Sequence, residues 1–186
     1  MATQDQIILV IGEPLPPDAL KLLGAIFGAV HRHLWARSEL PQNRVSTDYG
    51  LWQLQADQLN AIEPIATELI FWRTLPHPHH SLQAWRALTK LELVNWEDDE
   101  LKAMAQHWQE CYWLTMGGKG SQGDFNLLRQ GNYIDDGWLS VCGELILPTV
   151  LLKQIDPFAL ITAAAIAKLT GIKKKTIADA ILNVKG

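Results

Sequence analysis

The strongest local instruction in the chain begins at Asp156. Its carboxylate can accept hydrogen bonds from the open N–H groups of a first helical turn, and Pro157 suits that turn because it has no N–H to lose. The helix so started is apolar nearly all round, since Phe158, Leu160, Ile161, Ala164, Ile166 and Leu169 leave little polar face. Such a helix is expected to be buried on most of its sides. At 186 residues, 48% apolar and 19% charged, the chain is long enough for a real core and has the balance of a folded domain. Disorder and collagen-like repeats are excluded.

Other elements read less sharply. Ile7-Ile8-Leu9-Val10-Ile11, closed by Gly12, predicts a short buried strand. Leu15-Pro16-Pro17-Asp18 opens a predicted helix running to about Ala36, with Leu20, Leu23, Phe27, Val30 and Leu34 on one face. Gly24 and Gly28 in it each cost about 1 kcal/mol relative to Ala, which packing should offset. Ser38 to Gly50 reads as a loop and Tyr49 to Leu54 as a short strand. Asp57 caps a predicted helix that Pro64 interrupts and that continues from Ile65 to Trp72. After the break at residues 75–80, Ser81 caps a helix to about Leu93, and Asn95 caps the next, to about Thr115. Asp98 takes the capping-box position of that last helix, and Glu97 to Glu100 favour its first turn. A short helix from Asp124 stops at Gly131. Tyr133 to Val141 then reads as a hairpin around Asp135-Asp136-Gly137, with Cys142 to Leu147 extending it or adding a third strand. The expected fold class is mainly α with a small β component (α+β): a helical body over residues 1–155 and a helical hairpin over 156–186.

Within that hairpin, residues 163–182 (AAAIAKLTGIKKKTIADAIL) resemble the helix-turn-helix motif of DNA-binding regulators. Ala167 is small where the helices would cross, and Gly171 can take the left-handed conformation that ends the first helix. Ile166, Ile172, Ile177 and Ile181 are spaced to bury the inner faces, and Thr176 stands near the start of the second helix. The resemblance implies that the second helix lies in the major groove. Its outward positions are Lys173, Lys174, Lys175, Ala178, Asp179 and Leu182, which suit phosphate anchoring better than base readout. Lys168, Lys173, Lys174, Lys175 and Thr176 are therefore the expected nucleic-acid contacts. The charge distribution agrees: residues 157–186 carry a net +4 and the remainder −8.

The remaining constellations are weaker. His77-Pro78-His79-His80 reads as an exposed turn, because no zinc-ligand spacing accompanies it. His31 and His33 point to different faces. His107 and Cys111 share a helix face, where a packed thiol is the expectation. Gly117-Gly118-Lys119-Gly120-Ser121 lacks phosphate-loop spacing and is rejected as a nucleotide site. Eight tryptophans predict a core rich in indole, with Trp108 and Trp138 as interface anchors. Cys111 and Cys142 are expected to be reduced. With no triad order, paired-carboxylate signature or dinucleotide fingerprint, the chain reads as non-enzymatic, without metal or cofactor. The expectation is a cytoplasmic accessory or regulatory protein with DNA or RNA as partner and no membrane contact. The alternative is an interaction subunit of a multiprotein assembly, docking through its Trp-rich and C-terminal helical surfaces onto a protein partner or a second copy.

Overall fold

Parallel strands, not packed helices, occupy the centre of the molecule. The computed structural model describes residues 6–37, 49–77, 81–108, 110–118, 130–152 and 154–184. Among these residues, nine strands form one sheet in the order β2-β3-β1-β4-β5-β6-β7-β8-β9. They are β1 (Gln6–Ile11), β2 (Leu34–Arg37), β3 (Tyr49–Leu54), β4 (Thr67–Trp72), β5 (Thr89–Asn95), β6 (Tyr112–Leu114), β7 (Gly131–Asp135), β8 (Trp138–Val141) and β9 (Glu144–Pro148). The strands from β1 to β7 pair in parallel, and β8 and β9 add as antiparallel hairpins. The helices are α1 (Pro17–Gly28), α2 (Leu82–Ala87), α3 (Asp99–Ala105), α4 (Pro157–Leu169) and α5 (Lys174–Val184). No helix among the described residues is long and apolar enough to cross a membrane.

Alternate residues of each strand feed two apolar layers. Ile8, Val10, Leu51, Leu69, Phe71, Leu93 and Leu114 pack with α1, α4 and α5 on one face. Ile7, Leu9, Ile11, Trp52, Ile70, Trp72, Val94 and Trp113 pack with Leu82 and Trp85 of α2 and Leu101 and Ala105 of α3 on the other. Strands covered on both faces need apolar residues at every position, which removes the period-two signature. That is why the mainly α expectation fails. Residues 65–72, expected to be helical, contain β4, whose Leu69-Ile70-Phe71-Trp72 is wholly buried. The helix expected from Ser81 to Leu93 is six-residue α2 followed by β5. The one expected from Asn95 to Thr115 is seven-residue α3, capped by Asp98, whose side chain accepts from the Leu101 N–H, and then β6.

The helix expected to reach Ala36 stops at Gly28. His31 takes the left-handed conformation (φ +56°), and the Arg32 N–H returns to the Phe27 carbonyl at 3.0 Å, the six-to-one bond that closes a helix end. Leu34 is then free to enter β2. Between β3 and β4 the expected helix is a short 3-10 turn, Gln58–Ala61. The short helix expected from Asp124 lies outside the described residues.

Several readings hold. β1, β3, the β7–β8 hairpin and a third strand from Glu144 are all present. Asp156 caps α4, its Oδ2 accepting from the Ala159 N–H at 2.8 Å, and every residue from Ala159 to Ala167 is buried. α4 is therefore a layer element, packed against both the sheet and α1. Residues 163–182 do form two helices around Gly171 (φ +86°), but the first is sealed in the core.

Two further features fix the sheet. A Cβ at Gly131 would stand 2.4 Å from the Trp113 indole, so glycine is required where that ring crosses β7. On the α2/α3 face, Glu92 accepts from Trp72 Nε1 at 2.9 Å and from Arg86 Nε at 3.0 Å, while the Arg86 guanidinium lies 3.8 Å from the Trp108 ring centroid. One edge of the sheet is β2 and the other is β9, five residues ending in Pro148, with a register shift opposite Leu139/Ser140.

Candidate functional site

In an open parallel sheet the loops leaving the strands diverge where successive connections turn to opposite sides, and a crevice opens at that point. Here the divergence falls between β1 and β4. β1 leads through α1 to β2 at one edge, and β4 leads through α2 on the opposite face to β5. The residues gathered there are Gly12 to Leu15 after β1, Gln53 near the end of β3, and Arg73 and Thr74 after β4. Asn95 to Glu97 and Thr115 to Gly118 continue the rim beyond β5 and β6.

The two central loops touch. The Arg73 and Thr74 N–H groups both donate to the Ile11 carbonyl, at 2.9 and 3.3 Å. Gly12 has φ +107°, and a Cβ on it would lie 2.5 Å from Thr74 Oγ1. Only glycine satisfies both conditions. Arg73 then crosses the junction. Its Nη1 donates to the Glu13 carbonyl at 2.7 Å and to the Pro14 carbonyl, and Nη2 donates to Glu13 Oε2 at 3.2 Å. The guanidinium lies 5.0 Å from the centroid of Phe158, in the first turn of α4. The Arg73 side chain is 10% exposed, that of Glu13 80%. Burial lowers the Arg73 pKa and the nearby Glu13 carboxylate opposes that shift. The Arg73 Nε is buried without a hydrogen-bond partner.

The rim continues as a connected chain of polar groups. Asn95 Nδ2 donates to the Arg73 carbonyl at 3.2 Å, and Asn95 Oδ1 accepts from the Glu97 N–H at 3.3 Å. Glu97 Oε1 accepts from Thr115 Oγ1 at 2.7 Å and from the Met116 N–H at 2.6 Å. At the start of α1, Pro16 and Pro17 carry no N–H, Ala19 N–H turns back to the Pro16 carbonyl, and Leu15 N–H is taken by Gln53 Oε1 at 2.6 Å. Asp18 adds a negative charge. Most of the donors that a helix N-terminus normally offers a phosphate are thus missing or engaged there. What the crevice presents is a fixed guanidinium, suited to a carboxylate.

The residues expected to bind nucleic acid sit at the other end of the sheet. Tyr49 opens β3, and its hydroxyl donates to the Thr170 carbonyl at 3.2 Å, placing the α4–α5 turn at the amino edge. Lys168 donates to Glu144 Oε1 at 2.8 Å. Lys173, Lys174 and Lys175 are exposed and Thr176 is half-buried. Trp138 is 40% exposed where the β7–β8 hairpin turns, whereas Trp108 is half-buried against Trp72 and Arg86. Both cysteines are free thiols, and burial pushes Cys111 up to about 11 and Cys142 up to about 12. His107 is exposed, and His77 Nε2 lies 2.8 Å from Glu100 Oε2. His79, His80 and Lys119 to Ser121 fall outside the described residues. No group of three metal-ligating side chains occurs among the described residues.

Sequence reasoning missed Glu13, Arg73, Thr74, Glu97 and Thr115 as site residues, and took Asn95 for a cap. A signal existed. Ile11-Gly12, Trp72-Arg73, Val94-Asn95 and Leu114-Thr115 are each an apolar run followed by a turn-forming or polar residue.

No protein-family profile matches the chain. Curated relatives do. The chain is 31% identical over 170 residues to the UDP-N-acetylmuramoylalanine–D-glutamate ligase of Crocosphaera subtropica (strain ATCC 51142 / BH68), covering 81% of this chain and 36% of the relative. It is 29% identical over 166 residues to the enzyme of that name from Rippkaea orientalis (strain PCC 8801 / RF-1), covering 81% and 36%. It is 27% identical over 168 residues to that of Microcystis aeruginosa (strain NIES-843 / IAM M-2473), covering 82% and 37%. The chain thus spans little more than a third of the length of these relatives. Among solved structures, a UDP-N-acetylmuramoyl-L-alanyl-D-glutamate–2,6-diaminopimelate ligase superposes with a TM-score of 0.57 at 12% identity, over 98% of this chain and 47% of that one. A UDP-N-acetylmuramate:L-alanyl-γ-D-glutamyl-meso-diaminopimelate ligase from Neisseria meningitides gives 0.55 at 10%, over 96% and 66%. These two establish the α/β fold.

The comparisons overturn the functional expectation. Similarity to ligases over four fifths of the chain replaces the resemblance of residues 163–182 to a helix-turn-helix. With it go the nucleic-acid partner, the non-enzymatic reading and the assembly-subunit alternative, none of which fits relatives named as enzymes.

Proposed function

We propose that the chain is a ligase-type module that takes part in joining an amino acid to a UDP-linked muramoyl substrate, holding a carboxylate-bearing reactant at the carboxyl edge of its sheet. The observation that carries this reading is the similarity to UDP-N-acetylmuramoylalanine–D-glutamate ligases across 81–82% of the chain. Arg73 supports it, because both reactants in that name bear carboxylates and a guanidinium is the side chain best matched to them. A cytoplasmic location accompanies the proposal, in keeping with two unpaired thiols.

Calorimetric titration of the purified chain with UDP-N-acetylmuramoylalanine, with D-glutamate and with UDP alone tests the reading. Saturable binding of either reactant, weakened in R73K, is expected. Mass spectrometry of the two reactants incubated with the chain and a nucleoside triphosphate then reads the ligated product directly. Absence of binding by both reactants at millimolar concentration would overturn the proposal.

A further inference from the structure

The contact between Arg73 and Glu13 joins a fixed partner to a free one. Arg73 is nine-tenths buried and held by two main-chain carbonyls and the Phe158 ring, whereas the Glu13 carboxylate is four-fifths exposed and touches only through Nη2. Of the Arg73 nitrogens, Nη2 is therefore the one whose partner is a solvent-exposed side chain, while Nη1 is held by the main chain. Arg73 also keeps an unused buried donor, Nε. A guanidinium recognises a carboxylate best through two parallel N–H···O bonds, and Glu13 Oε2 supplies one at 3.2 Å, longer than a strong charge-assisted bond.

We infer that Arg73 is a carboxylate-binding site and that Glu13 is a built-in competitor which occupies it until a ligand carboxylate displaces it. The inference rests on the proposed function only for the identity of the ligand: a free amino-acid carboxylate or the carboxylate of the UDP-linked muramoyl substrate. The exchange is inexpensive. Glu13 swings from a largely solvated contact back into water, and exposed ion pairs are weak. Arg73 does not move, because its carbonyl partners belong to the β1–α1 loop that Gly12 and Thr74 hold in place.

Titration of wild type, E13Q and R73K with glutarate, D-glutamate and UDP-N-acetylmuramoylalanine tests the site. Removing the competitor's charge in E13Q is expected to tighten carboxylate binding about two- to fivefold, the range an exposed ion pair can withhold. R73K is expected to weaken it at least tenfold, since Lys cannot offer the paired donors. Glu13 is exposed, so E13Q keeps the fold and decides the question even if R73K proves unstable. Glutarate separates this inference from the functional one. Glutarate binding that tightens in E13Q, with neither ligase reactant bound, would sustain the carboxylate site and defeat the proposed function. A ligase reactant binding equally to wild type and E13Q would sustain the function and defeat the role of Glu13. Glutarate affinity unchanged or undetectable in E13Q overturns the inference. Comparison of the two reactants in E13Q identifies which one supplies the carboxylate.

Discussion

The Tyr49 hydroxyl donates to the Thr170 carbonyl at 3.2 Å, tying the first residue of β3 to the turn between the last two helices, 121 positions away. The same oxygen accepts from Arg32 Nη1 at 3.2 Å, and the ring meets Phe27 edge-on at 5.0 Å. Burial raises the Tyr49 pKa, so the hydroxyl keeps its proton for the contact.

Tyr49→Phe removes both bonds of the hydroxyl and leaves the ring packing intact. A loss of about 1 kcal/mol is expected in urea denaturation, with α5 exchanging amide hydrogens faster than α3. Equal acceleration of both helices would mean that the bond does not hold the turn.

Glu92 is a carboxylate held in the interior, accepting from Trp72 and Arg86 with its side chain only 9% exposed. Glu92→Ala strands a guanidinium and an indole N–H together, and a destabilisation of about 3 kcal/mol is expected. Chemical denaturation followed by tryptophan fluorescence measures it. Arg86 is one-fifth exposed, which keeps the figure at the lower end of the range for buried pairs.

At Gly12 two costs combine. Gly12→Ala places a Cβ in a left-handed backbone and against Thr74, and should cost about 2 kcal/mol or more. Adding Thr74→Gly removes the side-chain part of the collision but neither the 3.0 Å approach to the residue 74 amide nitrogen nor the conformation, so the double variant should recover only part of the loss. Full recovery would show that φ is not constrained there.

The two thiols make stability pH-dependent on the alkaline side. Their pKa values rise on folding from 9.0 to about 11 for Cys111 and about 12 for Cys142, so well below pH 9 both states stay protonated and nothing is lost. Above it the unfolded chain releases protons that the folded chain keeps, and stability falls from pH 9 toward 12. Denaturation midpoints measured from pH 8 to 11 should decline less steeply in C111S/C142S than in wild type. Both thiols should also resist alkylation at pH 8 until the protein unfolds.

How much could be read in advance follows from burial. β1 was legible because Gly12 ends an aliphatic run, and the β7–β8 hairpin because Asp136-Gly137 forms its turn. α4 was legible from Asp156-Pro157. β4 and β5 were not: Leu69-Ile70-Phe71-Trp72 and Leu91 to Val94 lie between two helical layers, and a strand with no solvent face shows no alternation. β6 is three residues long, too short to announce itself beside the acidic start of α3. The crevice was illegible for a different reason. Glu13 and Arg73 are 60 positions apart and meet only because β1 and β4 are neighbours, a pairing that the local sequence of neither strand encodes.

The outermost strand has a consequence for behaviour at high concentration. β9 is five residues long, begins at an exposed Glu144, is kinked against β8 and ends at Pro148, which has no amide hydrogen to offer. A second molecule approaching that border finds too short and too irregular a ladder to zip onto, and a charge at its entrance. The sheet is thereby protected against fibre-like stacking on that side.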